Sequence, residues 1–422
     1  MNVFNRLIQT CIKLPLRSTL QMELGQDSSY RNETLCLSRF HIVDHNKRRF
    51  VVMRSNSSLL STSMVRYRSP HWRAKLRVVA LLLIFLTATQ LDAQKFVSNY
   101  ELKPISLPGA TGSVALDYFA YDRATGKLWV PASNTGSVDV IDAATDAVSQ
   151  ITGFATSEIE RRGRKITVGP TSASIGEGVI YIGNRGDATL CVIDAKTLAR
   201  GESVPVSADR AVTPDGVLYV QATRELWVTL RVKSGDSAAV KSVAIFDASD
   251  LHHLKPKAKI PMDNLPEGFA VDNQRGLFYT NIEEAGKTVA IDVRSHKVVS
   301  EWQPGSSDLQ GLALDSARRF LFVACGDHVV SLDVGHDGKI TDSITTGAGL
   351  DNIDYSADAK VLYAAASQAA SLTIAEVDDG GKFHLSATVP TAKGVRGVVA
   401  GKGETAYLID PAEGRILKLT HK

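Results

Sequence analysis

Residues 127–142 read Lys127-Leu128-Trp129-Val130-Pro131-Ala132-Ser133-Asn134-Thr135-Gly136-Ser137-Val138-Asp139-Val140-Ile141-Asp142. An apolar strand carrying an aromatic is followed by a polar loop, then by strict alternation that ends in Asp. Alternation of this kind is the pattern of a half-buried strand. The unit recurs from Tyr100 onward, with its aromatic at Trp129, Tyr181, Trp227, Tyr279, Phe322, Tyr363 and Tyr407. The Asp that closes the alternating strand recurs as Asp142, Asp194, Asp247, Asp292 and Asp333, with Val377 and Leu419 near that place in the last two units.

Successive aromatics lie 52, 46, 52, 43, 41 and 44 residues apart. A period of about 40–50 residues built from short strands predicts an all-β fold, a seven-bladed β-propeller of four-stranded blades. A lone sheet of this kind cannot cover both faces, whereas radial stacking covers each sheet with its neighbours, and ring closure protects the ends. An open β-solenoid would need shorter, more uniform repeats. Unit seven stops after its third strand, Arg415-Ile416-Leu417-Lys418-Leu419. The segment Tyr100–Leu107 precedes unit one, and is expected to supply the missing fourth strand.

The repeats resemble the YVTN-type, YncE-like seven-bladed propellers, exported bacterial proteins grouped with quinoprotein-like and lactonase-like propellers. Leu128-Trp129-Val130 with Ser137–Asp142, and Leu321-Phe322-Val323 with Val329-Val330-Ser331-Leu332-Asp333, carry the likeness, which covers nearly all of residues 95–422. It implies the fold and leaves function open, because propellers host unrelated activities. The Trp-Asp pairs of WD40 blades and the paired glycines of kelch blades are missing.

Composition narrows the classes. Of 422 residues, 44% are hydrophobic and 22% charged, with 4 Cys, which excludes collagen-like, disulfide-scaffold and wholly disordered chains. The formal charge of +3 is unevenly spread: residues 1–93 carry +9 and the remainder −6. The acidic body gives no support for nucleic-acid binding. Residues 64–93 read as a cleavable signal peptide. Met64 opens a basic stretch (Arg66, Arg68, Arg73, Lys75, Arg77), Val78 to Leu86 form a short apolar run, and Ala93 ends a small-residue stretch. A retained anchor is the alternative, though the run is short for a bilayer. Because a signal peptide must emerge first, residues 1–63 are expected to be an untranslated or disordered leader, with translation starting at Met64. The propeller then occupies 94–422, periplasmic or secreted, touching a membrane only through its signal, and expected to be a monomer. Cys191 and Cys325 are the body's cysteines, and no haem-attachment or zinc spacing occurs.

No nucleophile elbow, zinc-protease motif, Walker loop or EF-hand loop is present. Gly401 and Gly403 belong to a tight turn, and Arg185-Gly186-Asp187 reads as a chance adhesion tripeptide in a polar loop. One constellation stands out. Twelve residues before each aromatic lie Asp117, Gly169, Asp215, Glu267, Gln310, Asp351 and Val395, with Asn352 and Arg396 one place further on in their units. Each is expected just before the innermost strand of its blade, so that all ring the mouth of the central channel. Converging carboxylates there would hold a divalent cation (calcium or zinc) or a polar ligand; alternatively they cap backbone donors around the ring. Asn134, Asn184 and Asn281, with Thr229, Arg231, Asp327 and Asp410, are expected on the same face. Together with Asp215, Glu267 and Asp351, the asparagines resemble the Glu/Asn/Asp metal shell of the gluconolactonase (SMP-30) propellers. That resemblance implies a metal-dependent lactone hydrolase, although its early Glu-x-Pro-x-Trp segment has no counterpart here. His252 and His253 read as a surface turn. The basic cluster Arg161, Arg162, Arg164, Lys165 reads as an inserted loop, and Arg231 to Lys241 as another. The favoured reading is an exported binding propeller whose channel mouth takes a small polar ligand, a cation or a protein partner. The lactonase-like hydrolase is the alternative, and a quinoprotein-type redox propeller ranks last.

Overall fold

A computed structural model of the chain describes residues 39–45, 48–54, 99–161, 163–232, 240–282 and 284–422. The expected signal peptide (64–93) and most of the expected leader lie outside the described residues. Within that leader, Arg39–His45 and Arg48–Arg54 pair as an antiparallel hairpin, Arg39 opposite Arg54. Among the described residues no helix is long and apolar enough to cross a membrane.

From Tyr100 onward the chain forms seven four-stranded antiparallel sheets, the blades of a β-propeller. Their innermost strands are Ala120–Asp122, Pro170–Ile175, Val212–Val220, Pro266–Asp272, Leu309–Asp315, Leu350–Ser356 and Arg396–Ala400. In blade seven the outer strand is Tyr100–Ser106, paired antiparallel with Arg415–His421 so that Ile105 faces Ile416. The beginning and the end of the repeat array are thus hydrogen-bonded within one sheet.

The aromatics explain the stacking. None of the seven is more than 1% exposed, and each belongs to a cluster shared with the next blade. Trp129 packs with Ile180, Ile182 and Ile193 of blade two, and Trp227 with Phe278, Val289 and Ile291 of blade four. Tyr407 packs with Leu128, Val130 and Ile141 of blade one, which closes the ring. Every interface between blades therefore has one large anchor. A β-strand residue in that position is covered on both sides, because alternation presents it to one sheet while the neighbouring sheet lies over it.

The recurrent Asp has a local role. Asp142 Oδ1 accepts from the Ala144 and Thr145 amides at 3.1 and 2.9 Å, and Asp194 and Asp292 make the same turn. In unit six Asp378, one place after Val377, accepts from Gly380 N at 2.9 Å and takes over the turn. An Asx turn of this kind reverses the chain between the third and outer strands.

The innermost strands of blades two to seven share a bulge. Their register shifts between Pro170 and Ser172, Pro214 and Val217, Glu267 and Phe269, Leu309 and Leu312, Leu350 and Ile353, and Arg396 and Val398. A bulge redirects side chains without ending the strand. Asp215, Glu267, Gln310 and Asp351 consequently lie inside their innermost strands, not just before them as the spacing predicts. Close approach of neighbouring strands fixes the glycines here. Gly268 adopts φ +64°, and a Cβ on Gly311 would stand 2.7 Å from Asn352 Cα.

Candidate functional site

The bulges turn the acidic side chains into the channel mouth, where they meet three arginines. Arg231 Nε donates to Asp215 Oδ2 at 2.8 Å, and its Nη2 donates to Glu267 Oε2. Arg185 Nη2 donates to Asp215 Oδ1 and reaches Asp117 Oδ2 at 3.4 Å. Arg396 Nη1 donates to Asp351 Oδ2, and its Nη2 lies 4.0 Å from Asp117. Written in order, Asp351, Arg396, Asp117, Arg185, Asp215, Arg231 and Glu267 alternate in sign. They run through blades six, seven, one, two, three and four. Blade five supplies Gln310, whose side-chain amide nitrogen donates to Asp308 Oδ1 at 2.9 Å and whose main-chain carbonyl accepts from Asn281 Nδ2.

The alternation is physically necessary. Asp215 and Glu267 are 3% and 7% exposed, and buried carboxylates of like sign would repel one another without intervening cations. Burial raises the Glu267 carboxyl above its ordinary range, opposed by Arg231 and the Tyr118 hydroxyl. Burial likewise raises Asp351, with Arg396 opposing.

A second element crosses the axis. Tyr118 of blade one donates its hydroxyl to Glu267 Oε1 of blade four at 2.8 Å and stacks on Phe269 at 5.2 Å between ring centroids. Blades one and four stand three positions apart in a seven-membered ring, so this pair spans the channel. Blade one's innermost strand is only three residues long because the chain before it leaves the sheet. There Tyr118 N donates to Thr171 O at 3.1 Å, and Tyr118 O accepts from Ala173 N at 3.1 Å. Gly216 leaves room for the Phe269 ring, which a side chain at that position would strike.

Above this network lies a cavity of about 410 Å³. Asp117, Arg185, Arg231 and Arg396 line it, as do Ser133, Thr171 and Thr213. Its apolar wall includes Ile159, Ile166 and Val168 from an inserted hairpin, Ser157–Arg161 with Arg164–Val168, in which Ile159 faces Ile166. Val232, Val240 and Leu265 complete that wall. The basic insertion after blade one is therefore a hairpin with apolar residues on the cavity; Arg162 and the Arg161 side chain lie outside the described residues, as do 233–239 of the loop Arg231 to Lys241.

The sequence-derived candidates divide into two groups. Asp117, Asp215, Glu267, Asp351, Arg396 and Arg231 come together as one network. The asparagines do not face a ligand as expected, because backbone groups occupy their amides. Asn134 accepts from Ala115 N at 2.8 Å, Asn184 donates to Ala155 O at 3.1 Å, and Asn281 donates to Gln310 O at 2.5 Å. Thr229 accepts from Gly216 N at 2.9 Å, Asp410 pairs with Arg415, and Asp327 with His328. Asn352 packs against the Gly311 backbone. The expected acidic cation ring is an ion-pair chain with guanidiniums already in place. Among the described residues no three His, Cys, Asp or Glu side chains gather as a metal shell.

Arg185, Tyr118 and Thr171 were not singled out by spacing. A signal for one of them exists: four residues after each aromatic lie Ser133, Arg185 and Arg231 in units one to three, and all three line the cavity.

The architecture and its mouth define a seven-bladed β-propeller with a cavity between the mouth residues and the inserted hairpin. No protein-family model matches the chain, and no curated protein matches it. Solved structures do. The chain is similar to a Kuenenia stuttgartiensis hydrazine synthase chain at 14% identity, with a TM-score of 0.58, covering 75% of this chain and 99% of that one. It is also similar to streptogramin B lyase at 11% identity, with a TM-score of 0.56, covering 76% and 98%, and to U3-55K at 9% identity, with a TM-score of 0.56 and the same coverage. At these identities the likeness concerns the β-propeller fold alone.

Proposed function

We propose that this chain is an exported binding propeller that takes a small ligand in the cavity at its channel mouth. The observation that supports this is the joining of about 410 Å³ of space to three guanidiniums on one side and an apolar wall on the other. Concave sites of this size, largely apolar with a few convergent polar groups, are typical of small-molecule recognition. The lactone-hydrolase alternative needs carboxylates free to hold a metal. Asp215, Glu267 and Asp351 are each engaged by a guanidinium, so no observation favours it.

The test is a thermal-shift screen of the purified protein against small carboxylates, amines and sugars, beside an Ile166→Glu variant that places a charge on the cavity wall. A ligand binding only the folded state raises the melting temperature. At least one compound is expected to do so in the parent and not in the variant. A panel that leaves the parent's melting unchanged would overturn the reading.

A further inference from the structure

We propose that the cavity selects an amphipathic anion, with a carboxylate-type head against Arg185, Arg396 and the Thr171 hydroxyl and an apolar body along Ile159, Ile166, Val232 and Leu265. This rests on the binding reading above and narrows it to a ligand class. Three observations converge on it.

The Thr171 side chain is 4% exposed and lines the cavity, yet its Oγ1 has no partner in the fold. A buried hydroxyl normally has one. A ligand oxygen in the cavity that Thr171 and Arg185 both line would provide it.

The polar wall presents cations first. Three guanidiniums and a single carboxylate, Asp117, line the cavity. Two of the three stand ahead of their acidic partners: by side-chain exposure Arg231 is 31% against 4% for Asp215 and 9% for Glu267, and Arg396 is 38% against 17% for Asp351, whereas Arg185, at 15%, lies level with Asp117 at 19% and ahead of Asp215. The carboxylates hold the guanidinium forks in place, and an entering molecule meets N–H donors. Planar forks with fixed donors suit a carboxylate better than a point charge would.

The opposite wall has no charge. Ile159 and Ile166 face each other across the hairpin, and Ile166 is 36% exposed, a large apolar side chain open to solvent at the cavity. A wholly polar anion would leave this wall unused.

Calorimetric titration of the full chain with sodium octanoate, sodium acetate and octyltrimethylammonium tests the assignment. Octanoate is expected to bind, acetate at least tenfold more weakly, and the cation not measurably. Thr171→Val removes only the hydroxyl. It is expected to weaken octanoate about tenfold, the size of one hydrogen bond to a charged group, with unchanged melting temperature. Ile166→Ser is expected to narrow the gap between octanoate and acetate. The ligand class is overturned if the cation binds as well as octanoate, or if Thr171→Val binds octanoate like the parent. If octanoate fails while another compound of the thermal-shift panel binds in an Ile166-dependent way, only the ligand class falls. If nothing binds in either experiment, the binding reading falls with it.

Discussion

Arg231→Met isolates the ion network's energetics. Arg231 joins Asp215 of its own blade to Glu267 of the next. Without it, Asp215 keeps Arg185, whereas Glu267, 7% exposed, keeps the Tyr118 hydroxyl and loses its guanidinium. Leaving a buried charge without its ion-pair partner costs about 3–5 kcal/mol. For a unit of roughly 330 residues the melting entropy is about 0.7 kcal/mol/K, so the expected fall in melting temperature is about 6 °C. The loss depends on pH. Glu267 already titrates above its ordinary range through burial, and removing Arg231, which opposes that shift, raises it further. A carboxyl whose folded pKa exceeds its unfolded pKa is penalised at high pH and relieved as pH falls through the folded value. The deficit against the parent is therefore expected to be full at pH 8 and to shrink towards pH 5. Glu267→Gln in the Arg231→Met background should recover most of it at pH 8. The assay is thermal unfolding of the three proteins at both pH values. A variant melting like the parent at pH 8, or losing as much at pH 5 as at pH 8, would refute the account.

Two further outcomes concern the blades. Asp139 is fully buried in the third strand of blade one, and desolvation raises its carboxyl to about 6 against an ordinary 3.8, which hydrogen bonds from Gln150 and Ser137 oppose. Asp139→Asn should therefore match the parent near pH 4 and exceed it by about 3 kcal/mol at pH 7.5, the worth of two pKa units; denaturant titrations showing a constant difference across that range would contradict the burial argument. Removing residues 100–107 strips the outer strand from blade seven, with Ile105 and Leu107, both 5% exposed or less. At about 2 kcal/mol per buried aliphatic side chain, with further loss from the freed edge of Arg415–His421, the cost is roughly 5 kcal/mol. A truncated protein with the parent's midpoint in urea would show that the strand contributes nothing to closure.

The fold was legible because the unit is local. Trp129, Tyr181 and their counterparts recur at a blade's length, and each unit shows its own alternation, so strand and blade could be read without knowing which blades touch. The site was legible only in its carboxylates. Asp215, Glu267 and Asp351 share one place in the repeat, and counting from the aromatic finds them together. Their partners do not share it. Arg185 sits at a strand end in what reads as a loop tripeptide, and Arg396 stands one residue off the ring position in blade seven. Tyr118 precedes a strand shortened to Ala120–Asp122. Which cation meets which carboxylate depends on how far one blade is rotated from the next, and no single unit encodes that.

The pairing nevertheless follows a rule once the ring is built. An arginine four residues after the aromatic reaches the carboxylate twelve residues before the next unit's aromatic: Arg185 to Asp215, and Arg231 to Glu267. A guanidinium at the end of a second strand thus leans over the innermost strand of its neighbour, and one rotation step carries the contact to the following blade. The pattern stops where the residue changes. The equivalent place is Gly326 in unit five and Ser367 in unit six, and there Arg396 reaches backward from blade seven to Asp351 instead. Charges so placed bind blade to blade across the mouth and fix the forks toward the cavity in one arrangement. The acidic residues that look in sequence like ligands for a cation are, in this geometry, each paired with a guanidinium of the chain itself.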